Sequence, residues 1–63
     1  MNAYSTMKRL IATLNQKHDN GRITNEAYTA TATTYMTRID VFFGMGRLSD
    51  AEYSELMGDF KTF

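Results

Sequence analysis

Few residues of this chain carry side chains suited to catalysis. The 63-residue sequence has a single histidine, His18, and no cysteine. A serine nucleophile needs a histidine base in a rigid, buried arrangement. Ser5, Ser49 and Ser54 instead fall where helix caps or exposed helix positions are expected, and His18 lies near a predicted helix end, where the helix dipole favours a cation. We therefore expect a protein that is not an enzyme and that uses no cofactor.

Two further patterns have the spacing of ligand sites. Glu52 and Glu55 are three residues apart on one predicted helix face, but helical metal sites usually add a histidine at matching spacing. His18 has no carboxylate three or four positions after it. The segment Gly44-Met45-Gly46 has two glycines, whereas a phosphate-binding loop follows a strand and has more of them. An exposed acidic face and a helix end are favoured, and no metal site is predicted.

A basic group is the only sign of nucleic-acid binding. The first predicted helix and the turn after it carry Lys8, Arg9, Lys17 and Arg22. Four positive charges can contact about four phosphates, which gives weak, salt-sensitive binding. The formal net charge is zero, and a recognition helix needs base-reading side chains at its start. The second helix offers mainly threonines there. Nucleic-acid binding remains a less favoured alternative.

The elements that position these residues are set by an internal repeat. Residues 21–28 (GRITNEAY) and residues 46–53 (GRLSDAEY) match at a spacing of 25 positions. A glycine suits the left-handed position after a helix, and Thr24 and Ser49 suit the N-cap of the next helix. Ser49 and Glu52 have the spacing of a capping box. The repeat therefore predicts two turns, each ending one helix and starting another.

Three helices follow from these turns, at roughly residues 3–19, 25–43 and 50–60. An apolar seam at helical spacing runs along the long central helix: Tyr28, Ala32, Tyr35, Ile39 and Phe42. Residues 29–34 (TATATT) alternate as a strand would, but a lone strand would have no partner in this chain. We predict a single all-α domain over residues 1–63, with three helices in a helix-turn-helix repeat.

The repeated turn resembles that of short C-terminal (SHOCT) domains and of small prophage-encoded proteins. The resemblance covers about eight residues in each copy, and two copies depart from the family's usual single turn. It implies a helical oligomerisation or docking module, often of phage or mobile-element origin. It carries over no enzymatic residue.

The size of the chain favours association with another polypeptide. A domain this short buries little apolar surface, and the sequence has no cysteine with which to form a disulfide. Charge is also uneven. Residues 1–22 have four basic and one acidic residue, whereas residues 48–63 have one basic and four acidic residues. The first and third helices can therefore attract each other, within one chain or between two. We expect a homodimer or an obligate hetero-complex.

The end of the central helix is the predicted interface. Val41, Phe42 and Phe43 spread apolar groups over about 200° of the helix, more than one neighbour covers. Aromatic residues and methionine are common interface anchors. The predicted interface residues are Tyr35, Ile39, Val41, Phe42, Phe43 and Met45. The expected function is protein binding, either in an assembly or as a phage inhibitor that occludes a site on a host protein. No run of about 18 apolar residues is present, so we expect a cytoplasmic protein without a membrane span.

Overall fold

The computed structural model describes residues 2–63 as an all-α bundle of three helices. The helices are α1 (Ala3–Asp19), α2 (Asn25–Gly44) and α3 (Asp50–Gly58), and no strand occurs among these residues. Each helix contacts both of the others, and α2 is the longest. None of the three helices, within residues 2–63, is both long and apolar enough to cross a membrane. The predicted fold class and the bounds of α1 are confirmed.

Both turns have the geometry that the repeat predicts. Gly21 and Gly46 adopt φ of +71° and +75°, the left-handed conformation that glycine adopts without strain. At the first turn, the backbone N–H of Arg22 donates to the carbonyl of Lys17, and that of Gly21 to the carbonyl of His18. This pair of bonds is a Schellman motif. The second turn repeats it, with Arg47 donating to Phe42 and Gly46 to Phe43.

The residues after each glycine start the next helix. The Thr24 hydroxyl accepts from the backbone N–H of Ala27 at 3.1 Å, and the Ser49 hydroxyl accepts from that of Glu52 at 3.1 Å. The Glu52 carboxylate in turn accepts from the Ser49 N–H at 2.9 Å, which completes the predicted capping box. These bonds satisfy N–H groups that the first turn of a helix leaves without partners.

The threonine-rich segment of α2 is helical throughout. Hydroxyls of three exposed threonines donate to the carbonyl four residues earlier: Thr33 to Thr29, Thr34 to Ala30 and Thr37 to Thr33. These hydroxyls therefore find acceptors within the helix, and the backbone hydrogen bonds of α2 are kept. Packing of α2 against the core outweighs the strand preference of threonine.

The core lies where the three helices meet. It comprises Met7, Ile11, Leu14, Tyr28, Ala32, Ile39, Leu48, Leu56 and Phe60. The spacing of these residues in α1 and α2 follows the helical period, so one stripe of each helix faces inward. Tyr35 and Phe42 are half-buried beside this core, as the predicted seam requires.

The third helix is shorter than predicted. It ends at Gly58 rather than near residue 60, because glycine is a poor helix former and the backbone N–H of Asp59 bonds the carbonyl of Leu56. Phe60 therefore lies beyond the helix but is still buried in the core. The chain after α3 folds back over the α1–α2 pair.

Candidate interaction surfaces

The last turn of α2 and the residue after it form an exposed apolar surface. Val41, Phe43 and Met45 are 53%, 38% and 59% exposed, although each is a large apolar residue. We call these three residues the α2-end patch. The helix ends at Gly44 and the chain turns at Gly46 towards α3, which leaves more than half of Val41 and of Met45 exposed.

The other predicted interface residues lie deeper. Ile39 is 0% exposed and belongs to the core, so it offers no surface to a partner. Tyr35 and Phe42 are half-buried and pack against the core from its edge. The helical period explains the division, because Val41 lies on the side of α2 opposite Ile39.

Phe43 is partly covered by α3. Its ring lies 4.6 Å from that of Tyr53, centroid to centroid, in a tilted arrangement. The Tyr53 hydroxyl donates to Asp40 Oδ1 at 2.7 Å, and this bond raises the pKa of Tyr53 because the phenol is stabilised in its protonated form. Tyr53 is thereby fixed between two residues of α2. Val41 and Met45 have no such cover and are the most accessible members of the α2-end patch.

One of the predicted nucleic-acid contacts is engaged within the chain. Lys8 Nζ lies 2.5 Å from Glu55 and 2.7 Å from Asp59, so α1 and α3 are paired through opposite charges. The Tyr4 hydroxyl also donates to Glu55. The hydrogen bonds from Lys8, and then from Tyr4, lower the pKa of Glu55, while the two carboxylates raise the pKa of Lys8. Lys8 already has two carboxylate partners, and a phosphate would have to compete with both of them.

The remaining basic residues take no part in the pairing of α1 with α3. Among residues 2–63, Lys8 and Lys61 form ion pairs, Lys61 with Asp19, whereas five arginine and lysine side chains form none. These five are Arg9, Lys17, Arg22, Arg38 and Arg47. Arg9 and Lys17 border a groove between α1 and α2, on the side of the bundle away from α3. Of the predicted basic group, Lys8 is therefore paired within the chain, whereas Arg9 and Lys17 stay exposed beside the groove.

His18 is held in an aromatic cluster. Its ring centroid lies 4.6 Å from that of Phe63 and 5.3 Å from that of Tyr28, and its Nε2 atom lies 2.7 Å from Asn25 Oδ1. The cluster joins the end of α1, the start of α2 and the end of the described chain. The other ring nitrogen, Nδ1, is buried and has no hydrogen-bond partner among residues 2–63.

The two carboxylates with the spacing of metal ligands each have a partner within the chain. Glu52 closes the capping box and Glu55 pairs with Lys8. Within the part of the chain that the structure describes, no group of three or more histidine, aspartate or glutamate side chains is placed to hold a metal ion. Ser49 is an N-cap.

Comparison of the chain with protein-family models, with curated proteins and with solved structures gives no match. The resemblance of the repeated turn to SHOCT domains therefore stays a prediction.

One surface was not predicted from the sequence. The groove between α1 and α2 is formed by residues that a helical wheel assigns to core edges and to exposed positions. Leu10 and Tyr35 belong to the apolar stripes of their helices, and Arg9 and Lys17 to the polar faces. Only the packing of α1 on α2 brings the four residues together. The spacing of Arg9, Thr13 and Lys17 by four was the one available signal.

Proposed function

We propose that this chain is a non-enzymatic protein-binding module that self-associates through the α2-end patch. The observation that carries the proposal is the exposure of Val41, Phe43 and Met45, three large apolar residues gathered at one end of the bundle. Apolar and aromatic side chains gathered at one place are typical of interface centres. Burying such a side chain fully is worth about 1.5–3 kcal/mol compared with leaving it exposed.

The charges around the α2-end patch favour a second copy of the chain as the partner. Arg38 and Asp40 lie on α2 within one turn of Val41, and Arg47 and Asp50 lie in and after the following turn. All four residues are exposed and none forms an ion pair among residues 2–63. A rim that holds both signs can pair with itself across a two-fold axis, where each charge meets the other copy.

Self-association would also add stability to this small domain. Among residues 2–63 the core consists of nine buried residues, and the sequence has no cysteine. Stability in such chains is commonly completed by oligomerisation. The module would act by assembly or by occluding a surface of its partner, rather than by turnover. A phage or mobile-element origin, implied by the repeated turn, belongs to the same proposal.

Methyl NMR of the intact chain tests the patch directly. We expect the methyl resonances of Val41 and Met45 to shift as the protein concentration rises, whereas those of the buried Ile11 stay in place. Val41→Asp removes the concentration dependence, because a charge at the interface centre must be desolvated. Ala12→Asp, at an exposed position on α1, is the matched control and leaves it unchanged. Resonances that do not move with concentration contradict the proposal.

A further inference from the structure

The groove between α1 and α2 has an apolar floor. It encloses about 270 Å³ and is lined by Leu10, Leu14, Ile23, Ala27 and Tyr35, together with Arg9, Thr13, Lys17 and Thr31. Leu14 is buried, while Leu10, Ile23 and Tyr35 are half-buried, so part of each of the latter three faces the groove or solvent. From Arg9 to Lys17 the groove follows α1 for about 12 Å, which is about two turns of a helix.

The rim of this groove carries one sign of charge. Arg9 and Lys17 line it from α1, and both are exposed. Neither forms an ion pair within residues 2–63, and no lining residue is acidic. Acidic residues are instead concentrated at α3, where Glu55 and Asp59 already engage Lys8. Unpaired positive charges beside an apolar floor attract a negatively charged ligand.

Tyr35 gives the floor a free polar group. Three of the four tyrosine hydroxyls donate within the chain: Tyr4 to Glu55, Tyr28 to Asn15 and Tyr53 to Asp40. Tyr35 is the one whose hydroxyl has no such partner among residues 2–63, and it lines the groove. A tyrosine that combines an apolar ring with an unused hydroxyl is a frequent anchor in protein interfaces.

We propose that the α1–α2 groove binds an acidic amphipathic helix of a partner protein. The apolar side chains of that helix fill the floor between Leu10 and Tyr35, and its carboxylates pair with Arg9 and Lys17. Helices commonly dock in this way, with one apolar face laid into a groove. The site lies apart from the α2-end patch, so the proposal goes beyond self-association and its test is independent.

Two other occupants fit the groove less well. A nucleic acid would meet the basic rim, but its phosphates gain nothing from the apolar floor. The acidic face of a second copy would meet the rim as well, yet the exposed residues of α3 are small or charged: Asp50, Ala51, Ser54, Glu55 and Gly58. That face has no large apolar side chain to place between Leu10 and Tyr35.

The test is an NMR titration of the intact, ¹⁵N-labelled chain with a synthetic helical peptide. The probe has leucines at positions i, i+3, i+4 and i+7 and glutamates on its flanks. We expect amide shifts at Leu10, Thr13, Lys17 and Ile23 that saturate below about 1 mM peptide. A second peptide, with every glutamate replaced by glutamine, is expected to bind at least about fivefold more weakly. A DNA duplex is the third probe and should leave these amides unshifted.

Charge reversals at the rim complete the experiment. Arg9→Glu and Lys17→Glu together should weaken binding of the acidic peptide about tenfold or more, because two attractions become repulsions. Ala12→Glu is the control, since Ala12 is exposed on α1 but neither lines the groove nor belongs to the α2-end patch. It should leave the affinity unchanged. The amide spectrum of each free variant reports whether the bundle is folded.

Three results would overturn the proposal. The first is an absence of shifts in the groove with the acidic peptide, and the second is equal binding of the glutamate and glutamine peptides. The third is an equal loss of affinity in Ala12→Glu and in the rim double variant. Shifts of the same groove amides with DNA would assign the rim to nucleic acid instead.

Discussion

The backbone N–H of Lys61 donates to the hydroxyl of Tyr28 at 2.8 Å. The same hydroxyl donates to Asn15 Oδ1 at 2.5 Å, and the Asn15 amide donates to the carbonyl of Asp59 at 3.0 Å. One tyrosine of α2 thus connects α1 with the segment that follows α3. This network holds Phe60 in the core, although Phe60 lies outside any helix.

Removing that hydroxyl should destabilise the fold. Tyr28→Phe leaves the Asn15 oxygen and the Lys61 N–H without their partner in a half-buried site, at a cost of about 1–3 kcal/mol. Tyr35→Phe is the matched control, because the Tyr35 hydroxyl has no partner within residues 2–63, and its effect should be within about 0.5 kcal/mol. Urea unfolding followed by circular dichroism measures both. Equal stabilities of the two variants would show that the network contributes nothing.

Local features of the fold could be predicted from the sequence, whereas contacts between distant residues could not. Gly21, Thr24, Gly46 and Ser49 act through bonds to residues within five positions, so their spacing alone indicated both turns. The Tyr28–Lys61 bond joins residues 33 positions apart. Tyr28 was assigned to the apolar seam, and nothing in its neighbours indicates the partner of its hydroxyl.

The exposed surfaces likewise divide into features that neighbouring residues indicate and features that only the packing of the helices decides. Val41, Phe43 and Met45 were expected to be exposed, since consecutive apolar residues cannot all face one core. Ile39, four positions from both Tyr35 and Phe43, is one of the predicted interface residues but lies fully in the core. The apolar seam predicts that Ile39 faces inward, but how deeply each residue of the seam is buried depends on the crossing of the three helices, which the sequence pattern does not fix. The charge pairing of α1 with α3 was predicted, but its occurrence within one chain came from the structure.

Substitution at the two sides of α2 should separate core from interface. Ile39→Val removes one buried methylene and should destabilise the chain by about 0.5–1.5 kcal/mol. Val41→Ala, at a position that is 53% exposed, should change the stability of the single chain by less than about 0.5 kcal/mol. Thermal unfolding at low protein concentration measures both effects. A larger loss from Val41→Ala than from Ile39→Val would contradict the assignment of Val41 to the surface.

Replacing the turn glycine should cost backbone strain without a steric clash. An added Cβ at Gly46 meets no atom within 4 Å, but φ is +75° there. Gly46→Ala should therefore destabilise the protein by about 1 kcal/mol. Gly44→Ala, within α2 and equally free of contacts, should instead stabilise it by up to about 1 kcal/mol. Chemical denaturation of both variants checks the opposite signs; a stabilised Gly46→Ala would exclude the turn geometry.

The pairing of Glu55 with Lys8 and Tyr4 should affect how the stability of the protein falls at acid pH. The folded-state pKa of Glu55 lies below its ordinary value of 4.5, so the folded state binds its proton less readily than the unfolded state does. The resulting stabilisation is present above about pH 5 and is lost as the pH falls through the folded-state pKa. Glu55→Gln should flatten the decline of the urea midpoint between about pH 5 and pH 2.

Glu26→Gln is the control for that pH series. Glu26 is exposed and forms no ion pair among residues 2–63, so its removal should leave the slope of the acid limb close to that of the wild type. A wild-type slope in Glu55→Gln would mean that the Lys8–Glu55 contact does not stabilise the fold. Because both side chains are partly exposed, added salt should weaken the contact.

Sedimentation equilibrium of the wild-type chain tests the central claim most directly. A self-associating module has a mass above the 7.2 kDa of one chain at high micromolar concentration, and Val41→Asp returns it to the monomer mass. A wild-type chain that remains at 7.2 kDa across the concentration range would contradict self-association through the α2-end patch.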